Sequence, residues 1–117
     1  MEKWINMVEM FVTDPSREKE VDEWFQNIHM PDVMKTPGYL SAKRYVMKEP
    51  KHGRGKYVAI YEIETDDIDK TLAIREQYIA KERELGRTPD QLFPGLFLRI
   101  WQWVVCKQVQ ALSKDKG

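Results

Sequence analysis

Residues 39–64 read YLSAKRYVMKEPKHGRGKYVAIYEIE. Both ends of this stretch, YLSAKRYVM (39–47) and KYVAIYEIE (56–64), are rich in aromatic and β-branched residues, the composition of strands. Between them EPKHGRGK (49–56) carries a proline, two glycines and several basic side chains, so it reads as a solvated hairpin loop. A β-hairpin in mid-chain decides the fold, because a helical pattern precedes it and another follows it.

Upstream, WINMVEMFV (4–12) is apolar on both alternating faces, which predicts a strand buried on both sides. Asp14 and Pro15 supply an N-cap and a first turn, and Val21, Trp24, Phe25 and Ile28 then recur at helical spacing on one stripe. Pro31 disfavours helical geometry at Met30, so a break or kink is expected there before Pro37-Gly38 stops the segment. Downstream, Asp66-Asp67 opens a second helix with a broad apolar face of Ile68, Leu72, Ile74, Tyr78, Ile79 and Leu85, ended by Gly86. Arg75 and Glu82 interrupt that face, most simply as an ion pair whose stems cover the core. LFLRIWQWVV (96–105) reads as the last strand. The order β-α-β-β-α-β is the ferredoxin-like arrangement: one α+β domain over 1–117, with a tail after about 107 that frays or clasps a second copy.

Such a sheet carries both helices on one face. The first, third and fourth strands nevertheless look apolar on both faces, so a second copy of the chain is expected to cover the other one. Two sheets facing each other would enclose a barrel with room for a small ligand. Alternation assigns Ala59, Tyr61, Ile63, Val8 and Met10 to the helix side. It assigns Met7, Glu9, Phe11, Val58, Ile60 and Glu62 to the barrel side, together with Phe97, Arg99, Trp101 and Trp103 from the last strand. Glu9, Glu62 and Arg99 would then share an apolar chamber, either pairing across the interface or carrying a shifted pKa suited to acid–base work.

Composition narrows the function classes. In 117 residues, 19 basic and 19 acidic side chains cancel, so no global field draws nucleic acid or an anionic membrane. No apolar run approaches bilayer length, and MEKWINMVEM lacks the character of a secretory signal. One cysteine, Cys106, fits a reducing compartment, and a cytoplasmic protein is expected. The two histidines and one cysteine have no metal-ligand spacing, and no metal or cofactor is expected. His52 sits in the basic hairpin loop and reads as solvated. His29 falls on the shoulder of the helix stripe, where it either contacts the last carbonyls of a helix or projects into a cavity.

The pattern W-x4-H-x-P-x5-P-G, here Trp24, His29, Pro31, Pro37 and Gly38, resembles the EthD-like branch of the dimeric α+β barrel proteins, and the likeness continues through SAKRYV and YVAIYEI. That superfamily includes muconolactone isomerases, polyketide cyclases, cofactor-free monooxygenases and haem-degrading enzymes, several of which use a cavity histidine on an aromatic substrate. The resemblance implies a homodimeric, cofactor-independent enzyme acting on a small hydrophobic, aromatic or polyketide-like molecule. His29 would be its acid or base, with Glu62 and Glu9 as further catalytic candidates. Arg99, Tyr45, Trp101, Trp103, Phe97, Phe11, Ile60 and Met7 would form the binding walls. The alternative is a non-catalytic ligand binder, or a haem binder with His29 as axial ligand.

Overall fold

The computed structural model describes residues 1–50, 56–93 and 98–114. The hairpin loop with His52, the wall candidate Phe97 and the last three residues lie outside them. Strands β1 (Glu2–Val12), β2 (Tyr39–Val46), β3 (Tyr57–Thr65) and β4 (Leu98–Lys107) form one sheet in the order β2-β3-β1-β4, every neighbouring pair antiparallel. The two central strands pair Asn6 with Tyr61, Val8 with Ala59 and Met10 with Tyr57. Side chains opposite one another share a face, and Val8, Met10, Tyr57, Ala59, Tyr61 and Ile63 join the helix residues Val21, Trp24, Phe25 and Val33 in the buried core. The intervening pairs, Met7 with Ile60 and Glu9 with Val58, face away from the helices. For β1 and β3, alternation assigned the faces correctly.

For β4 it did so only in part. Val8 pairs with Trp103 and Glu9 with Gln102, but Met10 pairs with Ile100, which leaves Trp101 as an extra residue in a β-bulge. The bulge inverts parity along the strand. Leu98 and Ile100 lie on the helix side before it, and Trp103 lies on the helix side after it. Trp103 is therefore opposite to its expected face, while Arg99, paired with Phe11, stays on the outer one. The strand also runs two residues beyond its expected end.

The first helical region is continuous rather than broken. It comprises α1 (Glu18–Trp24), a π-helical turn (Phe25–His29) and α2 (Met30–Met34), preceded by a 3-10 turn that Asp14 caps by accepting from Ser16 N–H at 3.1 Å. Pro31 has no N–H, and its ring would meet the carbonyl four residues back in a regular α-helix. The chain accommodates it by widening: the Met30 N–H donates to Phe25 O, five residues back. Gly38 (φ 91°) then turns the chain into β2, in a backbone region that favours glycine, with its carbonyl accepting from Glu64 N at 2.8 Å.

The helix α3 (Ile68–Glu84) is N-capped by Asp67, whose carboxylate accepts from Lys70 N–H at 3.1 Å. Its end is a Schellman turn at Gly86 (φ 73°): Gly86 N–H donates to Arg83 O and Arg87 N–H to Glu82 O, each at 3.0 Å. The expected broad apolar face on this helix is a correction. Its buried residues are Thr71 and Arg75, while Leu85 is 74% and Ile79 38% exposed. The helix stands off the sheet, and a cavity occupies the gap. A short helix α4 (Pro89–Leu92) follows, with Thr88 and Gln91 forming a capping box.

Candidate active site

A cavity of about 470 Å³ lies between the helices and the inner face of the sheet. Its floor is Asn6, Val8 and Met10 of β1 with Tyr61 of β3; its walls include Trp24, Phe25 and His29, with Leu72 and Arg75 of α3 opposite. Ile100 and Trp103 also line it yet are 64% and 54% exposed, so it opens to solvent along β4. The ligand chamber expected from sequence was on the other side of the sheet, between two copies of the chain; this cavity lies within one chain, on the helix side.

The π turn is what aims His29 into this cavity. On an α-helix, residues five apart point about 140° away from each other. Here Trp24 and His29 stack, with ring centroids 4.6 Å apart and planes at 16°. The extra residue of the π turn brings them onto one face, and Phe25 closes edge-on at 5.2 Å. The helical segment runs on through Met34, so His29 does not lie at its C-terminal end, where the plainer reading from spacing put it. The His29 Nε2 lies 3.0 Å from Tyr61 Oη.

Burial, with the charge of Arg75 adding to it and Asp32 opposing it, lowers the His29 pKa to about 4. Burial also pushes the Tyr61 phenol well above its usual range, partly offset by Arg75. Both groups are neutral at pH 7. One tautomer of this pair presents an imidazole lone pair at Nδ1 and leaves the Tyr61 proton for a ligand; the other presents an N–H at Nδ1. Nε2 is engaged by Tyr61, so an axial bond to a haem iron from that atom would displace the phenol. Among the described residues, no group of three or more His, Cys, Asp or Glu side chains could hold a metal ion.

Two ion pairs hold the surrounding frame. Arg75 spans two helical turns to Glu82, Nη1 to Oε2 at 2.7 Å and Nη2 to Oε1 at 3.2 Å, and its Nη1 also donates to Thr36 Oγ1 at 3.3 Å. The pairing expected from sequence is therefore present, with its guanidinium in the cavity wall. Beyond the Schellman turn, Arg87 grips the buried carboxylate of Asp32 from two nitrogens at 2.8 and 3.0 Å. The Trp24 indole N–H donates to the Arg87 carbonyl at 3.0 Å. These contacts tie the end of α3 to the helix that carries His29.

The other candidates fall elsewhere. Met7, Glu9, Phe11, Tyr45, Ile60, Glu62 and Arg99 lie on the outer sheet face, separated from His29 by the sheet. In the single chain the Glu62 side chain is half exposed, accepts from Ser41 Oγ at 2.5 Å and pairs with Lys43 at 3.5 Å. Those contacts, Ser41 first, hold its carboxyl below the usual range. Arg99 is exposed, whereas Glu9 is buried. Of the predicted wall residues, Trp103 reaches the cavity, and Trp101 occupies the bulge. Sequence reasoning placed Tyr61 on the helix side but gave it no role. Its shared face with the helix stripe was the available signal.

No protein-family sequence profile matches this chain, and no curated protein sequence matches it. Solved structures do. HapK from Hahella chejuensis superposes with a TM-score of 0.66 at 12% identity, covering 96% of this chain and 98% of its own. A dimeric ferredoxin-like protein from an uncultured marine organism gives 0.61 at 19% identity, covering 96% and 100%. An ethyl tert-butyl ether D (EthD) family protein from Bacillus halodurans C-125 gives 0.51 at 19% identity, covering 93% and 100%. Among the described residues no helix is long and apolar enough to cross a membrane. With the strand order and helix placement above, these likenesses identify the chain as a ferredoxin-like α+β protein.

Proposed function

We propose that this chain is an EthD-like enzyme of the dimeric α+β barrel type, binding a small hydrophobic molecule in the helix-side cavity and using His29 as its acid or base. The observation that carries this reading is the hydrogen bond between a neutral imidazole and a neutral phenol on the wall of an aromatic-lined cavity. Tyr61 fixes one ring nitrogen, and Trp24 and Phe25 fix the ring plane, leaving the second nitrogen to exchange a proton with a bound carbon or oxygen acid. No cofactor is invoked. The outer sheet face, with Met7, Phe11, Val58 and Ile60, would pair with a second copy; the dimeric ferredoxin-like neighbour supports this. Glu9, Glu62 and Arg99 then belong to that interface.

Deuterium incorporation from D2O into a panel of enolisable aromatic ketones, followed by NMR, reads proton abstraction whatever the final reaction. Catalysed exchange that is lost in His29→Gln and reduced in Tyr61→Phe, with ligand affinity largely kept, is the expected result. Undiminished exchange in a folded His29→Gln protein would refute the assignment. Binding without any exchange would support the non-catalytic alternative.

A further inference from the structure

The cavity holds a buried cation whose donors are not all used. An arginine side chain carries five N–H donors. For Arg75 three are taken by Glu82 and Thr36, so two have no partner among the described residues. The residue is 7% exposed and lines the cavity. Fully solvated arginines satisfy spare donors with water at little cost; a buried one gains most from an oxygen acceptor delivered by a ligand. His29 and Tyr61, both neutral, stand in the same cavity, and the charge of Arg75 is felt by His29, Tyr61 and Tyr39 alike. The rest of the lining is largely aromatic and aliphatic.

We propose that Arg75 is an oxyanion-binding residue, and that the ligand of this cavity is a hydrophobic molecule with a weakly acidic hydroxyl, a phenol or enol, held as its anion. The inference rests on the reading above that the cavity binds a small hydrophobic molecule. The two spare N–H groups donate to the ionised oxygen, while the aromatic walls take the ring. The other charged groups of the lining are Glu82, already bound to Arg75, the exposed Glu76, Arg83 paired with Asp90, and Arg87, whose partner Asp32 lies outside the lining. Arg83 and Arg87 also keep N–H groups beyond their carboxylate partners, but their side chains are 55% and 34% exposed and water serves those donors, whereas the Arg75 side chain is 9% exposed, so Arg75 is the buried cation of the lining.

Two probes of nearly the same shape test this: 4-nitrophenol, whose anion absorbs in the visible, and its methyl ether 4-nitroanisole, which cannot ionise. Equilibrium dialysis against the full chain, near the pH of half-ionisation, measures both affinities, and the visible band reports the ionisation state of bound nitrophenol. The nitrophenolate is expected to bind at least about tenfold more tightly than the ether, the order of one charge-assisted hydrogen bond. Arg75→Gln should bring the two to near parity. Glu82→Gln keeps the arginine and removes its competitor, so it should increase the preference. A cavity-filling Leu72→Trp should weaken both probes together. Equal binding of the two probes by the wild-type protein, or an unchanged preference in Glu82→Gln, overturns the oxyanion role and leaves the cavity reading standing. Failure of both probes to bind, or indifference of both to Leu72→Trp, overturns the cavity reading along with it.

Discussion

The depressed pKa of His29 makes the stability of the protein depend on pH in a way that one substitution can isolate. The group is at about 4 in the folded chain and near 6.5 when unfolded. Above pH 6.5 both states hold it neutral, and it contributes nothing to the pH dependence. Below 6.5 the unfolded chain takes up the proton and the folded chain resists it, so stability falls with falling pH until the folded group also titrates near 4. Integrating between those values, moving from pH 7.5 to pH 5.0 costs about 2 kcal/mol through His29 alone. Urea denaturation of the wild type and His29→Gln at both pH values, at one fixed protein concentration, isolates the contribution, because every other titrating group cancels in the comparison. The wild type should lose about 2 kcal/mol more than the variant between the two conditions. At pH 7.5 the two should differ by no more than about 1 kcal/mol. Parallel pH dependences would show that the imidazole is solvated, and the stacked, phenol-bound geometry would then be wrong. If His29 exchanges the proton as proposed above, the acid limb of kcat/KM for that exchange should have its midpoint near pH 4 rather than 6.5.

Three further outcomes follow from other parts of the molecule. Gly38→Ala should cost roughly 1–2 kcal/mol and more than Gly86→Ala in chemical denaturation, since both have positive φ but only at Gly38 would a Cβ meet a neighbour, 3.2 Å from the Glu64 carbonyl oxygen; equal costs would remove the crowding argument. Asp32→Ala should cost roughly 2 kcal/mol or more, because it strips the partner from Arg87, and tryptophan emission should shift to the red as the Arg87 carbonyl loosens from Trp24; an unshifted spectrum would show that the two contacts are independent. Ile60→Lys puts a charge at the centre of the proposed dimer face and should give monomer by light scattering at concentrations where the wild type is dimeric; a variant that stays dimeric would move the interface elsewhere.

Element order, both helix caps and the faces of the central strands were legible in the sequence, because each depends on residues within one or two turns of one another. Alternation sorted β1 and β3, and Asp67 and Gly86 marked the ends of α3 by their own backbone preferences. Arg75 and Glu82 could be paired because they sit two turns apart on one helix. The tertiary structure decided the rest, for a common physical reason: each remaining feature depends on a slip or a separation that no local period encodes. The bulge at Trp101 is set by pairing with β1, and it carried Trp103 to the face opposite the one alternation gave it. The π turn before Pro31 is one of several ways to accommodate a proline, and it alone brings His29 over Trp24 and within reach of Tyr61 on a strand 32 residues away. The helix-side cavity of the single chain depends on how far α3 stands from β1 and β3, and the Asp32–Arg87 and Trp24–Arg87 contacts that tie the end of α3 to the first helical region join residues far apart in sequence. Sequence therefore determined which residues belong to the two faces of the central strands, and packing alone determined which face holds the cavity.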